Sequence, residues 1–227
     1  MTLAEKELKQ KAKIEGRISK VLSSHFKHEN EWIISDEMRT ALSIDSYHFY
    51  DKLGMLKVDK DVRLLLAVQM SLDNNKCPVN AIGWGNSDTI IGYNVDMGFG
   101  NIQKARELTG VVRPRAEEYV DSFVSMLVRK PHNGLDEMNT KEVAEIAKET
   151  LEMYQRKKRI TTSPIALSAA AVYHAGVKAG SQVTEKSVIN ITRVSESSFI
   201  TAIADLLETA RPDEVHDWYQ RKWRRNW

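Results

Sequence analysis

Residues 161–208 read TTSPIALSAAAVYHAGVKAGSQVTEKSVINITRVSESSFITAIADLLE, and this stretch decides the fold. It parses as three helices with two short joints. Ser163 is a natural N-cap, and Pro164 falls at the first helical position, where a missing N–H costs nothing. The helix that follows is rich in small residues: Ala166, Ala169, Ala170, Ala175, Gly176 and Ala179. At helical spacing they make a face that other helices can approach closely. Ile165, Leu167, Val172, Tyr173 and Val177 spread larger apolar groups around the remaining circumference. A helix apolar on most sides is a buried one, so this helix is expected at the centre of its domain, ending at Gly180. Thr184 then caps a helix to about Thr192, and Ser195 one to about Ala210. Val188, Ile191, Phe199, Ile203, Leu206 and Leu207 give the pair apolar faces. A short helix, a tight turn and a longer helix make a helix-turn-helix candidate, although the pattern alone favours two packed helices of a bundle.

Three segments carry a resemblance: S-P-I-A-L-S-A-A-A-V-Y (163–173), T-E-K-S-V (184–188) and V-S-E-S-S-F (194–199). In residues, order and separation they resemble the second cyclin-like repeat of transcription factor IIB and of its archaeal counterpart, transcription factor B. That resemblance covers about the last hundred residues. It implies an all-α protein of two cyclin-like five-helix repeats, the third helix central in each, with a helix-turn-helix in the second repeat. It also implies double-stranded DNA as partner, together with transcription machinery or another regulatory protein.

Outward from this stretch the chain is less explicit. Residues 2–24 form a charged helical pattern with Leu8, Ile14, Ile18, Val21 and Leu22 as a sparse apolar side, and HFKHENEW (25–32) breaks it. Ser35 caps a helix to about Lys52 carrying Met38, Leu42, Tyr47, Phe49 and Tyr50, with Gly54 as its stop. Asp59 caps the next, VRLLLAVQMSL (62–72), apolar nearly all round and ended by Asn74 and Asn75. If this is the first repeat's central helix, Pro78–Trp84 would be its fourth helix and Asp96–Leu108 its fifth. The joint GWGNSDTIIGYN (83–94) is rich in turn residues, and Thr89, Ile90 and Ile91 could pair briefly as a strand. Gly110 and Pro114 flank the best boundary. The organisation expected is an N-terminal divergent repeat (1–112), a C-terminal repeat (113–210) and a basic aromatic tail (211–227). In the second repeat a helix runs from about Arg115 to Val128 on Tyr119, Phe123, Met126 and Leu127. Thr140 caps a long one with Val143, Ala147, Leu151 and Tyr154 on one face.

Composition narrows the function. Hydrophobic residues make up 42% and charged ones 28%, with a net charge of +2 over 227 residues, so only local clustering can argue for a polyanion. No apolar run approaches bilayer length and residues 1–13 do not read as a signal peptide, so a cytoplasmic protein with no membrane partner is expected. One cysteine, Cys77, excludes an intramolecular disulfide and leaves no zinc ribbon. His25 and His28, the nearest histidine pair, gain no completing ligand. No nucleophile–base–acid set and no phosphate loop is present, so neither a catalytic site, a cofactor nor a metal is expected.

Candidate nucleic-acid contacts fall in three clusters, the third being Arg221, Lys222, Arg224 and Arg225 of the tail. Arg156, Lys157, Lys158 and Arg159 close the long helix; cations there complement its dipole, yet four in succession exceed that need. The resemblance implies that this helix end lies beside the DNA backbone, a contact that positions a protein without reading sequence. Lys186 and Arg193 flank the recognition helix and can touch the backbone. That helix itself, Glu196–Asp205, has no Arg, Lys, Asn or Gln to read base edges. Ser197, Ser198 and Thr201 offer weak contacts, and Glu196 and Asp205 would repel phosphates. The resemblance implies a helix that enters the major groove and reads a promoter element with basic residues; this helix departs from that, and backbone contact is the expectation.

The tail interleaves Trp218, Tyr219, Trp223 and Trp227 with Arg221, Lys222, Arg224 and Arg225. As a helix it could dock its aromatic stripe on the second repeat. As a nucleic-acid tail it would combine phosphate pairing with stacking, and as an anchor it would fill a partner's groove. The expected function is a non-catalytic DNA-binding transcription factor or regulator. The alternative is a cyclin-like interaction adaptor that does not read DNA.

Overall fold

Ser35, Asp59, Thr184 and Ser195 each precede a helix with their side-chain oxygen accepting a hydrogen bond from a first-turn backbone N–H. These local caps set the frame of the computed structural model, which describes residues 2–28, 31–81, 98–129, 135–157 and 162–215. Among the described residues the protein is all-α. Nine helices run in order: α1 (Leu3–Phe26), α2 (Asp36–Lys52), α3 (Lys60–Asn74), α4 (Phe99–Thr109), α5 (Val120–Val128), α6 (Thr140–Lys157), α7 (Pro164–Lys178), α8 (Glu185–Thr192) and α9 (Glu196–Ala210). The one sheet among them is a pair of two-residue strands, β1 (Lys27–His28) and β2 (Glu31–Trp32), antiparallel in the HFKHENEW segment. The chain divides into two units between Arg113 and Pro114.

In the first unit α3 is the core helix. Leu64 to Asp73 are buried without interruption, so α3 meets neighbours on all sides. On α2, Leu42 and Phe49 are buried, and the α2–α3 contact is pinned by the Ser71 hydroxyl donating to the Leu42 carbonyl (3.0 Å). Asn74 and Asn75 both donate to Asp45 (2.8 Å each). On α1, Ile18, Val21, Leu22 and Phe26 are buried, each large side chain contributing about 1.5–3 kcal/mol, but Leu8 is 71% exposed. The apolar side read over residues 2–24 thus works only from Ile14 onward, and residues 4–13 are all exposed. This outer half is held by polar contacts, one of them to α2, where the Lys11 ammonium lies 5.2 Å from the Tyr47 ring centroid. Thr2 and Glu5 form a reciprocal capping box, and Lys11 pairs with Glu15.

The structure corrects three sequence readings. The fourth helix of this unit does not start at Pro78. Lys76 adopts a left-handed φ of 53°, its N–H reaching the Asp73 carbonyl and that of Cys77 the Leu72 carbonyl, and this closure sends Cys77–Asn80 out as non-helical chain. Residues 82–97, with the rest of the helix read over Pro78–Trp84 and the strand proposed at Thr89–Ile91, lie outside the described residues. The fifth helix begins at Phe99 rather than Asp96, after Gly98 with φ 62°. In the second unit Thr140 does not cap α6. Asp136 caps a short 3-10 turn, 137–139, and Thr140 is already helical, its hydroxyl donating back to the Glu137 carbonyl.

In the second unit α7 is central, with every residue from Ile165 to Gly176 buried. It packs against α5, α6, α8, α9 and the 3-10 turn 116–119 that leads into α5. The small residues explain how so many neighbours fit. A Cβ on Gly176 would lie 3.2 Å from a Val183 methyl and 3.7 Å from Leu135. Ser163 occupies the N-cap position without a side-chain capping bond, so Pro164 at N1 does more of the starting. Gly180, at φ 72°, closes the helix with its N–H on the Val177 carbonyl and that of Ser181 on Gly176. Tyr173 sets the α9 approach edge-on against Phe199, ring centroids 5.6 Å apart.

Candidate nucleic-acid interface

Lys186 and Arg193 lie on α8 and its C-cap, seven residues apart and therefore on one side of the helix; both are exposed. Asn190, between them at helical spacing, is exposed as well. Sequence reading missed Asn190, although its i+4 position from Lys186 was available as a signal, and an asparagine is a side chain that can read adenine. The opposite side of α8 buries Ser187, Val188, Ile191 and Thr192, which fixes the cationic side outward. Arg193 adopts a left-handed φ of 55°, its N–H donating to the Ile189 carbonyl at 2.8 Å, and this turn places buried Val194 and then the α9 cap. Both α8 and α9 dock on α7.

The N-terminus of α9 presents a cluster of hydroxyls. The Ser195 Oγ accepts from the Ser198 N–H (3.1 Å), and it lies 2.7 Å from the Ser198 Oγ and 3.1 Å from the Ser197 Oγ. Ser195, Glu196, Ser197, Ser198 and Thr201 are exposed. Asp205 behaves differently from its sequence reading. It is turned toward α6, accepting from the Tyr154 hydroxyl at 2.7 Å and from the Thr162 hydroxyl at 3.3 Å. Burial, with the bond to Asp205 next, pushes the Tyr154 phenol up to about 12. Asp205 thus ties α9 to α6, and Glu196 is the acid left facing outward near the α9 start.

Arg156 and Lys157 close α6 and are exposed, and Arg156 is paired with Glu152 one turn back (2.5 Å). A pair this exposed contributes well under 1 kcal/mol and leaves the arginine able to exchange partners. The remaining residues singled out in sequence, Lys158, Arg159, Trp218, Tyr219, Arg221, Lys222, Trp223, Arg224, Arg225 and Trp227, lie outside the described residues. The segment after α9 is described as far as Val215, and it is anchored. Glu214 meets both His174 Nε2 (2.5 Å) and Lys178 Nζ (2.9 Å), and Arg211 pairs with Glu149 (3.3 Å). His174 is buried, and that burial holds its pKa below the ordinary value against the opposing pull of Glu214.

Among the described residues no group of three His, Cys, Asp or Glu side chains is placed to hold a metal ion, and no helix is long and apolar enough to cross a membrane. Cys77 is fully buried, with its thiol pushed far above the ordinary range by desolvation and by Asp73, so it is not a nucleophile in this state. No protein-family model matches this chain, and no curated protein matches it in sequence.

Proposed function

We propose that the protein is a non-catalytic DNA-binding regulator of the transcription factor B kind, built of two cyclin-like repeats and gripping duplex DNA mainly by its backbone. The observation that carries the DNA reading is the outward side of α8, where Lys186, Asn190 and Arg193 stand together over a helix whose other side is buried. With the exposed hydroxyls at the start of α9 it offers two cations and several neutral donors. It offers no bidentate reader of guanine on α9, so sequence preference is weak.

The repeat reading is supported by correspondence between the units. Both α3 and α7 contain 15 residues, are buried along their middle and begin after a capping residue, Asp59 or Ser163. Both end in a left-handed residue, Lys76 or Gly180, with the same pair of closing hydrogen bonds. Three residues further on each unit buries a valine, Val79 or Val183. Each core helix is preceded by one long helix packed on it, α2 or α6.

The test is binding of a labelled duplex of arbitrary sequence across a salt series. Lys186→Gln with Arg193→Gln should flatten the slope of log K against log salt by about 1.8, at about 0.9 for each phosphate left without its cation. A slope unchanged by the double substitution overturns the assignment. A second reading, the interaction adaptor, is favoured by a separate feature: a groove of about 760 Å³ between α5 and α6, floored by Val124, Val128 and Ala144 and rimmed by Asp121, Lys141 and Lys148.

A further inference from the structure

The first unit carries a basic groove to which none of the candidate contact residues above belong. It is about 420 Å³ in volume, and its walls are α1, the start of α3 and Tyr50 of α2. Lys6, Lys9, Lys13 and Arg17 line it from α1, and Lys60 faces it from α3. Arg17 is already committed to Asp61 in an ion pair. Lys6, Lys9, Lys13 and Lys60 have no carboxylate within ion-pair distance among the described residues. Four unneutralised ammonium groups lining one concavity repel one another and concentrate a positive field there.

The acids of α1 are kept off this side. Glu5 is engaged in the capping box with Thr2, and Glu15 pairs with Lys11. Glu7 instead lines a neighbouring groove with Asp51 and Arg63. The charge separation is therefore a property of how α1 is seated, not of its overall composition. The lysine-bearing half of α1 also buries nothing: residues 4–13 are exposed all round, so core packing does not account for the length of the helix.

We infer that this groove is a binding site for the phosphate backbone of DNA, with Lys6, Lys9, Lys13 and Lys60 as the phosphate contacts. The assignment borrows its ligand from the DNA-binding reading but uses a different unit and different residues. Its dimensions suit one strand of a duplex. Lys6 to Arg17 covers about 16 Å of helix, a length over which one strand presents about five phosphates. A lipid surface fits poorly, because residues 4–13 offer only Leu8 as a large apolar side chain and so lack the apolar face of a membrane-surface helix.

The experiment uses the full chain and fluorescence anisotropy with a labelled 20-base-pair duplex across a salt series. Lys6→Gln, Lys9→Gln, Lys13→Gln and Lys60→Gln are combined in one variant, and the same four positions are changed to arginine in another. The glutamine variant should lower the slope of log K against log salt by about 3.6, and the arginine variant should keep it. Should the glutamine variant not fold, lysine acetylation of the wild-type chain with and without duplex replaces it, and Lys6, Lys9, Lys13 and Lys60 should then be protected. An unchanged slope, or no protection, overturns the assignment. Stronger capture of vesicles rich in phosphatidylserine than of duplex also overturns it, in favour of a membrane. Loss of binding on the four substitutions, with Lys186→Gln and Arg193→Gln silent, sustains the groove while sinking the α8 interface. The reverse pattern sinks the groove alone.

Discussion

Arg106→Met tests whether the polar interior of the first unit is as dry as its geometry indicates. The Arg106 guanidinium donates to Asp73 Oδ2 at 2.9 Å, and the Gln69 amide donates to the other carboxylate oxygen at 2.9 Å. The Gln69 carbonyl oxygen in turn accepts from the Ala81 N–H at 2.8 Å, so one network joins α3, α4 and the chain leaving α3. The Asp73 side chain is 1% exposed and that of Arg106 25%. Methionine keeps most of the aliphatic stem but takes the guanidinium away from a buried carboxylate. Removing one partner of a buried pair costs about 3–5 kcal/mol, and the partial exposure of Arg106 argues for about 3. Adding Asp73→Asn removes the stranded charge, so the double variant should be more stable than Arg106→Met alone, with a coupling of about 1.5–3 kcal/mol. Urea unfolding of wild type, both single variants and the double variant supplies the cycle. Hydrogen exchange should locate the destabilisation in α3 and α4, with α7 unaffected. A cost below about 1 kcal/mol for Arg106→Met, or strictly additive singles, would mean that water reaches Asp73 and that the network is a surface feature.

The second unit should lose stability on acidification. His174 has a folded pKa below 6.5, so its contribution is complete above that value and declines as pH falls through it, because the unfolded chain takes the proton first. Glu214, whose folded pKa lies below 4.5, adds a loss in the same direction at lower pH, and His174→Gln should remove the upper part of the profile in urea titrations between about pH 7.5 and 5. Ala170→Phe should cost at least about 1–3 kcal/mol, because Ala170 is fully buried where α7 meets its neighbours; an unchanged melting temperature would remove α7 from the centre. Gly180→Ala should cost about 1–2 kcal/mol at φ 72°, where no neighbour lies within 4 Å of an added Cβ, so a neutral result would refute the backbone argument and not a steric one.

What is legible in the sequence is what local chemistry determines. The caps at Ser35, Asp59, Thr184 and Ser195, the αL closure at Gly180 and the burial of 64–72 and 165–176 all follow from residues within a few positions of one another. Sequence and structure part where a second local signal competes. Lys76 takes a left-handed conformation that glycine normally signals, and Pro78 suits a first helical position as readily as an extended exit, so the residues after α3 do not decide between the two. Asp136, four residues ahead of Thr140, starts that helical segment first. Long-range pairings leave no trace in any window. Asp205 looks like an outward acid until Tyr154 is placed opposite it, and the groove requires Lys60 to return beside Lys6–Lys13, which no periodicity announces. Within the candidate interface Lys186 and Arg193 stand out by charge alone, while Asn190 shows only through its i+4 spacing from Lys186.

The two halves of α1 have unequal grounds for existing. Its inner half is buried on α2 and supplies a ready-made helical nucleus, and the outer half extends that nucleus one hydrogen bond at a time. Extension with no buried residue is reversible, so residues 4–13 should fray and re-form far faster than the unit unfolds. Trypsin, which cleaves after lysine, would therefore find Lys6, Lys9, Lys11 and Lys13 within reach in the native protein. Cleavage there would shed the outer half of α1 while leaving the Ile18–Phe26 packing in place. A nick after Lys13 would act as a switch, separating a folded first unit from Lys6, Lys9 and Lys13 of its basic groove.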